Sequence, residues 1–318
     1  MTRCQASHPG QDEHDQLVRA SRLYYELGET QHAIAARLGV TRPHVSRLLK
    51  RARAEGIVEI RIVDTTVAES PAAAQLTERF GLDAVHLAPT LVGPEDLTRR
   101  MVGRLGAQVL RASARDGEII GIGDGATVTA VAEALEDAAT PVAATIVPLA
   151  GGYWSGGPER EPFRRIADAF GAQTFGLMAP GLLDDAATKL ALEAHAGVRA
   201  ILDLWDRLDL VLVGIGGRSW GAASVGERLA RRLDERGAIG EVLIAPYALD
   251  GTFVGQELRE RVLAFDARRL ASVPTAIAVG AGESKVQPVL GALRAGIVRT
   301  LVTDVATAEA VVALDATR

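Results

Sequence analysis

The chain of 318 residues holds one cysteine, Cys4, so it cannot close an internal disulfide or build a thiolate metal site, and a reducing compartment is expected. Its opening stretch, MTRCQASHPGQDEHDQ, lacks the apolar centre of a signal peptide, and no later run reaches eighteen uninterrupted apolar residues. These absences predict a cytoplasmic protein with no membrane contact and no metal. No short-period repeat and no low-complexity segment is present. Only two histidines, His86 and His195, lie in the long C-terminal body, which leaves few candidates for general acid or base work.

One further absence is local. Between Arg37 and Arg53 there are six basic residues and no acidic one, although the chain carries a formal charge of -5. Residues 15 to 63 hold nine Lys/Arg against five Asp/Glu, and residues 1 to 14 hold one against two. The totals of 35 and 40 therefore leave residues 64 to 318 at -8. A basic head on an acidic body implies that only the head meets a polyanion.

The head has the grammar of a helix-turn-helix. Leu17, Ala20, Leu23, Tyr24 and Leu27 recur at helical spacing and stop at Gly28, giving a supporting helix. Ile34, Ala35 and Leu38 form the inward stripe of a second helix that turns at Gly39. Thr41 is a good N-cap for a third, Pro43 suits its first turn, and Val45, Leu48 and Leu49 form its buried stripe. Its opposite face carries Arg42, His44, Ser46, Arg47, Lys50 and Arg51. Arg42, His44 and Arg47 are placed to read base edges of a double-stranded DNA operator, and Thr41, Ser46, Lys50 and Arg51 to meet the backbone. A solvated basic hairpin is the plainer alternative. After Gly56 the residues Ile57, Val58, Ile60 and Ile62 read as a short wing-like strand, and DTTVAESP, 64 to 71, as a linker. Residues 1 to 14 read as a disordered tail. One recognition helix reads only a few base pairs, so a homodimer or homotetramer is expected.

From residue 72 onward apolar strands alternate with helices: 84–87, 119–122, 145–149, 174–177, 210–215, 242–245, 275–279 and 297–302. This predicts an α/β fold, a doubly wound and mainly parallel sheet. Ligands of such sheets bind beyond the carboxyl ends of the strands. Four loops there are rich in glycine and polar residues: Gly123-Asp124-Gly125-Ala126-Thr127 before a helix, Gly216-Gly217-Arg218-Ser219, Asp250-Gly251, and Gly280-Ala281-Gly282-Glu283-Ser284-Lys285. Backbone amides of a helix N-terminus and Lys285 suit an anion, and Asp250 suits hydroxyls. Read singly, Lys285 is a solvated lysine and Asp250 a turn residue. A dinucleotide loop is disfavoured because Ala126 stands where GxGxxG needs its last glycine, and no cofactor is expected.

The head IAARLGVTRPHVSRLLKRARAEGIVEIRI, the loop GIGDGATV, VPLAGG, DLVLVGIGG, ALDG and the closing GAGESK with LRAGIVRTLVTDVATA resemble, in order and spacing, the SorC family of sugar-binding transcriptional regulators. The resemblance implies a helix-turn-helix joined to a Rossmann-like domain akin to sugar-phosphate isomerases, a small phosphorylated sugar as effector, and a tetramer. It implies phosphate contacts at Gly123, Gly125 and Thr127, an acidic sugar contact at Asp250 and a basic one at Lys285. Asp124 departs from the family, which often has an uncharged residue there; Ala281 and Pro288 depart as well, and YWSGGPEREPFRRI lacks an expected Asn. The competing reading is a sugar-phosphate isomerase or deaminase with a DNA-binding appendage, whose base would be Asp124, Asp250 or Glu283.

Overall fold

The computed structural model describes all residues except 1–8, 59, 61–66, 68–69, 137–140, 153–160, 219, 221–224 and 318. It divides into two compact units, Met1–Val63 and Asp64–Arg318.

The first unit is helical. Helix α1 spans Pro9–Ser21 and runs on through a π-turn, Arg22–Glu26; α2 is Gln31–Leu38 and α3 is Arg42–Ala54. Thr30 and Thr41 cap α2 and α3 by accepting from the amides of Ala33 and His44, at 3.2 and 3.4 Å. Gly39 closes α2 in the left-handed region, φ +67°, a conformation that costs glycine nothing. Leu17, Ala20, Ile34, Val45, Leu49 and Ala52 make a small core in which each has at most 2% of its surface exposed.

Two expectations for this unit need correction. The tail was expected to be disordered to residue 14, but helix begins at Pro9: the buried Leu17 and Ala20 anchor the last turns of α1, and Glu13 reaches Arg51 of α3. The wing-like strand is absent among the described residues. Ile57 and Val58 form a bend, with Val58 N–H donating to the Ala52 carbonyl at 3.0 Å, and both pack partly on the core instead of pairing in a ladder. Ile60 is exposed, Ile62 lies outside the described residues, and so does most of the 64–71 linker.

The second unit is α/β. Seven parallel strands are arranged in the order β1 (Ala84–Ala88), β9 (Thr300–Asp304), β8 (Thr275–Val279), β5 (Leu210–Gly214), β2 (Ile119–Ile122), β3 (Thr145–Pro148), β4 (Gln173–Thr174). Alternate residues face opposite layers: Leu210 and Leu212 join one hydrophobic cluster with Ile120, Ile146 and Ile277, while Val211 and Val213 join the other with Val147, Ala276 and Leu301. Burial on both faces explains why these strands read as continuous apolar runs. Chain order reverses between β2 and β5, the switch point at which such sheets open a crevice.

Three strand expectations shift. Residues 174–177 shrink to the two-residue edge strand β4. The stretch 297–302 becomes β9 at Thr300–Asp304, because Ile297 and Val298 are spent on packing after the left-handed Gly296. Residues 242–245 are not a strand of the sheet. They are the tip of a separate antiparallel hairpin, β6 (Ala238–Val242) and β7 (Ala245–Ala248), whose turn residues Leu243 and Ile244 have φ of +52° and +62°. Positive φ in a β-branched residue is a strained conformation, and here it is held where the tip packs over the crevice.

Candidate effector cleft and DNA-reading helix

In the head, Thr41, Arg42, Ser46, Arg47, Lys50 and Arg51 are exposed and His44 is half-buried, while Val45, Leu48 and Leu49 point inward. Arg42, Arg47 and Lys50 make no ion pair among the described residues. Arg51 differs: its guanidinium bonds Glu55 at 2.7 and 3.0 Å and also meets Glu13, so it clasps α1 to α3 and its charge is partly neutralised. Arg37 is paired with Glu29 at 2.8 Å. The unpaired cations Arg42, Arg47 and Lys50 therefore sit on the face that the sequence assigned to DNA, with Arg51 at its edge.

In the second unit a cleft of about 810 Å³ opens at the carboxyl edge of β2, β5 and β8. Six of the eight residues singled out for an effector line it: Asp124, Gly125, Thr127, Gly216, Gly217 and Lys285. Gly125 has φ +122° and leads into the helix Ala126–Glu136, while open space surrounds its absent side chain. Glycine is required there by the backbone turn and not by crowding from protein atoms, and the space beside it opens onto the cleft. Thr127, in the first turn, is 7% exposed. The Asp124 carboxylate is turned onto its own loop and accepts from Gly125 N–H at 2.7 Å.

Gly216 pairs through its backbone with Glu241 of β6, N–H to carbonyl in both directions at 2.8 and 3.1 Å. A Cβ on Gly216 would come within 2.7 Å of the Glu241 side chain. This pairing brings the hairpin against β5 and sets Glu241 in the cleft wall. Lys285 is half-buried beside Gly217. Burial pushes its pKa below the usual lysine value, while the carboxylates of Glu241 and Glu95 pull the other way and Arg99 adds to the lowering.

Two of the eight are not cleft residues. Gly123 lies beneath the hairpin tip, where a Cβ would meet Leu243 at 3.2 Å and the Leu212 carbonyl at 3.4 Å, so it serves close packing. Asp250 accepts from Thr252 N–H at 2.9 Å and caps the turn after β7, near Arg294, and that hydrogen bond holds its carboxyl below the usual range. The plainer reading of Asp250 as a turn residue fits this geometry, because β7 leaves the main sheet. Neither histidine of the body lines the cleft: His195 Nδ1 accepts from Gly197 N–H and caps a helix, and His86 sits half-buried on β1, its pKa lowered by desolvation. Among the described residues no cluster of three or more metal-ligating side chains occurs.

Sequence reasoning missed Glu95, Arg99, Trp220, Glu241 and the tip residues Leu243 and Ile244, all of which line the cleft. Glu95 opens the helix Glu95–Ser113. Its carboxylate receives Ser284 N–H and Oγ at 3.4 and 3.3 Å, clasping the loop that carries Lys285. The same loop is held from below by the buried Asp304, which accepts from Gly282 N–H at 2.9 Å and from the hydroxyls of Thr307 and Thr90 at 2.6 and 2.8 Å. No local motif announces these residues; only the helix-start position of Glu95 and its i, i+4 spacing from Arg99 were visible.

A basic three-helix head coupled to a crevice at the switch point of a parallel sheet defines a ligand-responsive DNA-binding regulator. Residues 66–313 match the sugar-binding domain family (Sugar-bind), and residues 15–59 match a homeodomain-like domain. The chain is 30% identical over 314 residues to the sorbitol operon regulator of Klebsiella pneumoniae, covering 92% of this chain and 96% of that one. It is 29% identical to the erythritol catabolism regulatory protein EryD of Brucella abortus, covering 93% and 95%. The crystal structure of the full-length sorbitol operon regulator SorC superposes with a TM-score of 0.76 at 28% identity, covering 96% of this chain and 100% of that chain. A domain of a possible sugar-binding transcriptional regulator from Arthrobacter aurescens gives 0.69 at 28% identity over 76% of this chain and 96% of its own. The chain belongs to the SorC family of sugar-binding transcriptional regulators. Like these relatives, it is a sugar-responsive transcriptional regulator rather than an enzyme.

Proposed function

We propose that operator binding by this chain is controlled by a small phosphorylated sugar bound in the cleft of the second unit. The observation that carries the reading is the convergence, at one switch point, of the helix N-terminus at Gly125–Thr127, the Gly216–Gly217 turn and the half-buried Lys285. The Lys285 cation suits a phosphate, and the carboxylates of Asp124 and Glu241 suit hydroxyls. Residues 15–63 form the DNA-binding region in this reading, with Arg42, His44 and Arg47 at base edges and Thr41, Ser46, Lys50 and Arg51 at the backbone. Residues 72–318 bind the effector and join the heads into a homodimer or homotetramer in the cytoplasm. Among the described residues no helix is long and apolar enough to cross a membrane.

The test is a thermal-shift panel of four- to six-carbon sugar phosphates and their parent sugars, followed by operator binding with each stabilising compound. The expected result is a phosphate ester that both raises the melting temperature and changes operator affinity. A parent sugar that does both while its phosphate does neither would end the phosphorylated part of the reading.

A further inference from the structure

Arg99, half-buried in the second turn of the helix Glu95–Ser113, faces the cleft and makes no ion pair among the described residues. Its neighbour Arg100 is satisfied by Asp96 at 3.1 Å. The carboxylate that stands one turn before Arg99, and would be its natural i, i+4 partner, is Glu95, yet Glu95 is turned to the amide and hydroxyl of Ser284. Arg99 is thus left unneutralised in the same cleft as Lys285, a second cation that burial already disfavours and whose charge Arg99 further opposes. The carboxylates of Glu241 and Glu95 offset part of this repulsion at Lys285, and an anion lying between the two cations would remove more of it. At the other loop the opposite holds: the Asp124 carboxylate already occupies the Gly125 amide and puts negative charge at the helix start, where it would repel a bound anion and welcome a hydroxyl.

We propose that Arg99 and Lys285 form a two-cation oxyanion subsite that reads the charged group of the effector, so that the sugar lies with its anion toward the Glu95–Ser113 helix and its hydroxyls toward Asp124. The inference rests on the reading of this cleft as the effector site. Its chemistry is that of an oxyanion on a polyhydroxy chain, which a phosphate monoester and the carboxylate of a sugar acid share. Guanidinium geometry offers two parallel donors to either group, and Lys285 adds a point charge.

The experiment is titration calorimetry on the full chain with erythritol 4-phosphate, ribose 5-phosphate and glucitol 6-phosphate, the matching aldonates, the neutral parents and inorganic phosphate. Wild type, Arg99→Gln, Arg99→Lys and Lys285→Ala are compared, and thermal unfolding without ligand checks that each is folded. One lost charge-assisted contact predicts a loss of about tenfold or more in affinity for the best anionic probe in Arg99→Gln, partial recovery in Arg99→Lys, and a change under about twofold for the neutral parent. Undiminished anion affinity in Arg99→Gln overturns the subsite, as does a wild type to which no anionic probe binds at millimolar concentration. The two readings fail separately. An aldonate bound in an Arg99-dependent way while every phosphate ester is ignored keeps the subsite and ends the phosphorylated effector. A phosphate ester bound equally by wild type and Arg99→Gln keeps the effector and ends the subsite.

Discussion

The two units of this chain use positive charge in different ways. On α3 the unpaired cations Arg42, Arg47 and Lys50 stand within nine residues of one another, exposed and arranged by a single helix. In the cleft the cations are Arg99 and Lys285, separated by 186 positions (285 − 99), half-buried, and brought together by the order of strands β1, β9 and β8, since Arg99 follows the first and Lys285 the last. A surface for a large regular polyanion is built by repetition along one element, because the ligand supplies its own spacing. A site for a small molecule has to surround it, and distant segments must supply the walls.

The largest expected effect would separate the units outright. Leu48→Ala removes a side chain that is 5% exposed in the nine-residue core of the head, and a cavity of that kind costs about 2–5 kcal/mol. Operator binding should be lost and the head's thermal transition should fall, while calorimetric affinity for a cleft ligand stays as in wild type; a parallel loss of cleft affinity would break the contrast. Next in size is Arg47→Ala. Loss of one bidentate base contact costs about 1–3 kcal/mol and relaxes preference at that base pair, readable in an electrophoretic series over single-base operator variants. Lys50→Ala should instead weaken all duplexes alike and lower the slope of log K against log salt by about 0.9.

A smaller effect sharpens the cleft side. Because burial lowers the pKa of Lys285 below 10.5, its proton is lost at a lower pH than from an exposed lysine, and a bound anion favours the protonated form. Affinity for an anionic effector should therefore fall as pH rises toward that depressed value, whereas Lys285→Arg, which keeps its charge, should hold affinity level over the same range. The smallest change is expected from Asp250→Ala: unaltered effector affinity and a modest loss of stability. Its depressed carboxyl pKa means the turn's contribution is present above the ordinary carboxylate value and disappears as pH falls through the folded one. A marked loss of affinity in that variant would return Asp250 to the cleft.

The sequence by itself determined the head's helices and the face of α3, since Thr30, Gly39 and Thr41 set the ends, and the stripe of Val45, Leu48 and Leu49 leaves only one side for Arg42, Arg47 and Lys50. It also determined the α/β class and the loop-by-loop candidates, because strands buried on both faces are legible as apolar runs and the glycines that follow them mark their carboxyl ends. What the tertiary structure alone decided was membership of the cleft. Gly123 and Asp250 belong to motifs as good as those of Gly125 and Lys285, yet the first lies under Leu243 and the second caps a turn off the main sheet. Glu95, Arg99 and Glu241 carry no motif at all, but pairing across Gly216 and the clasp of Ser284 bring them in. The reason is physical: caps, turns and stripes are interactions between residues a few positions apart, whereas the wall of a cleft is a relation between segments that only strand order and a strained hairpin tip can bring together.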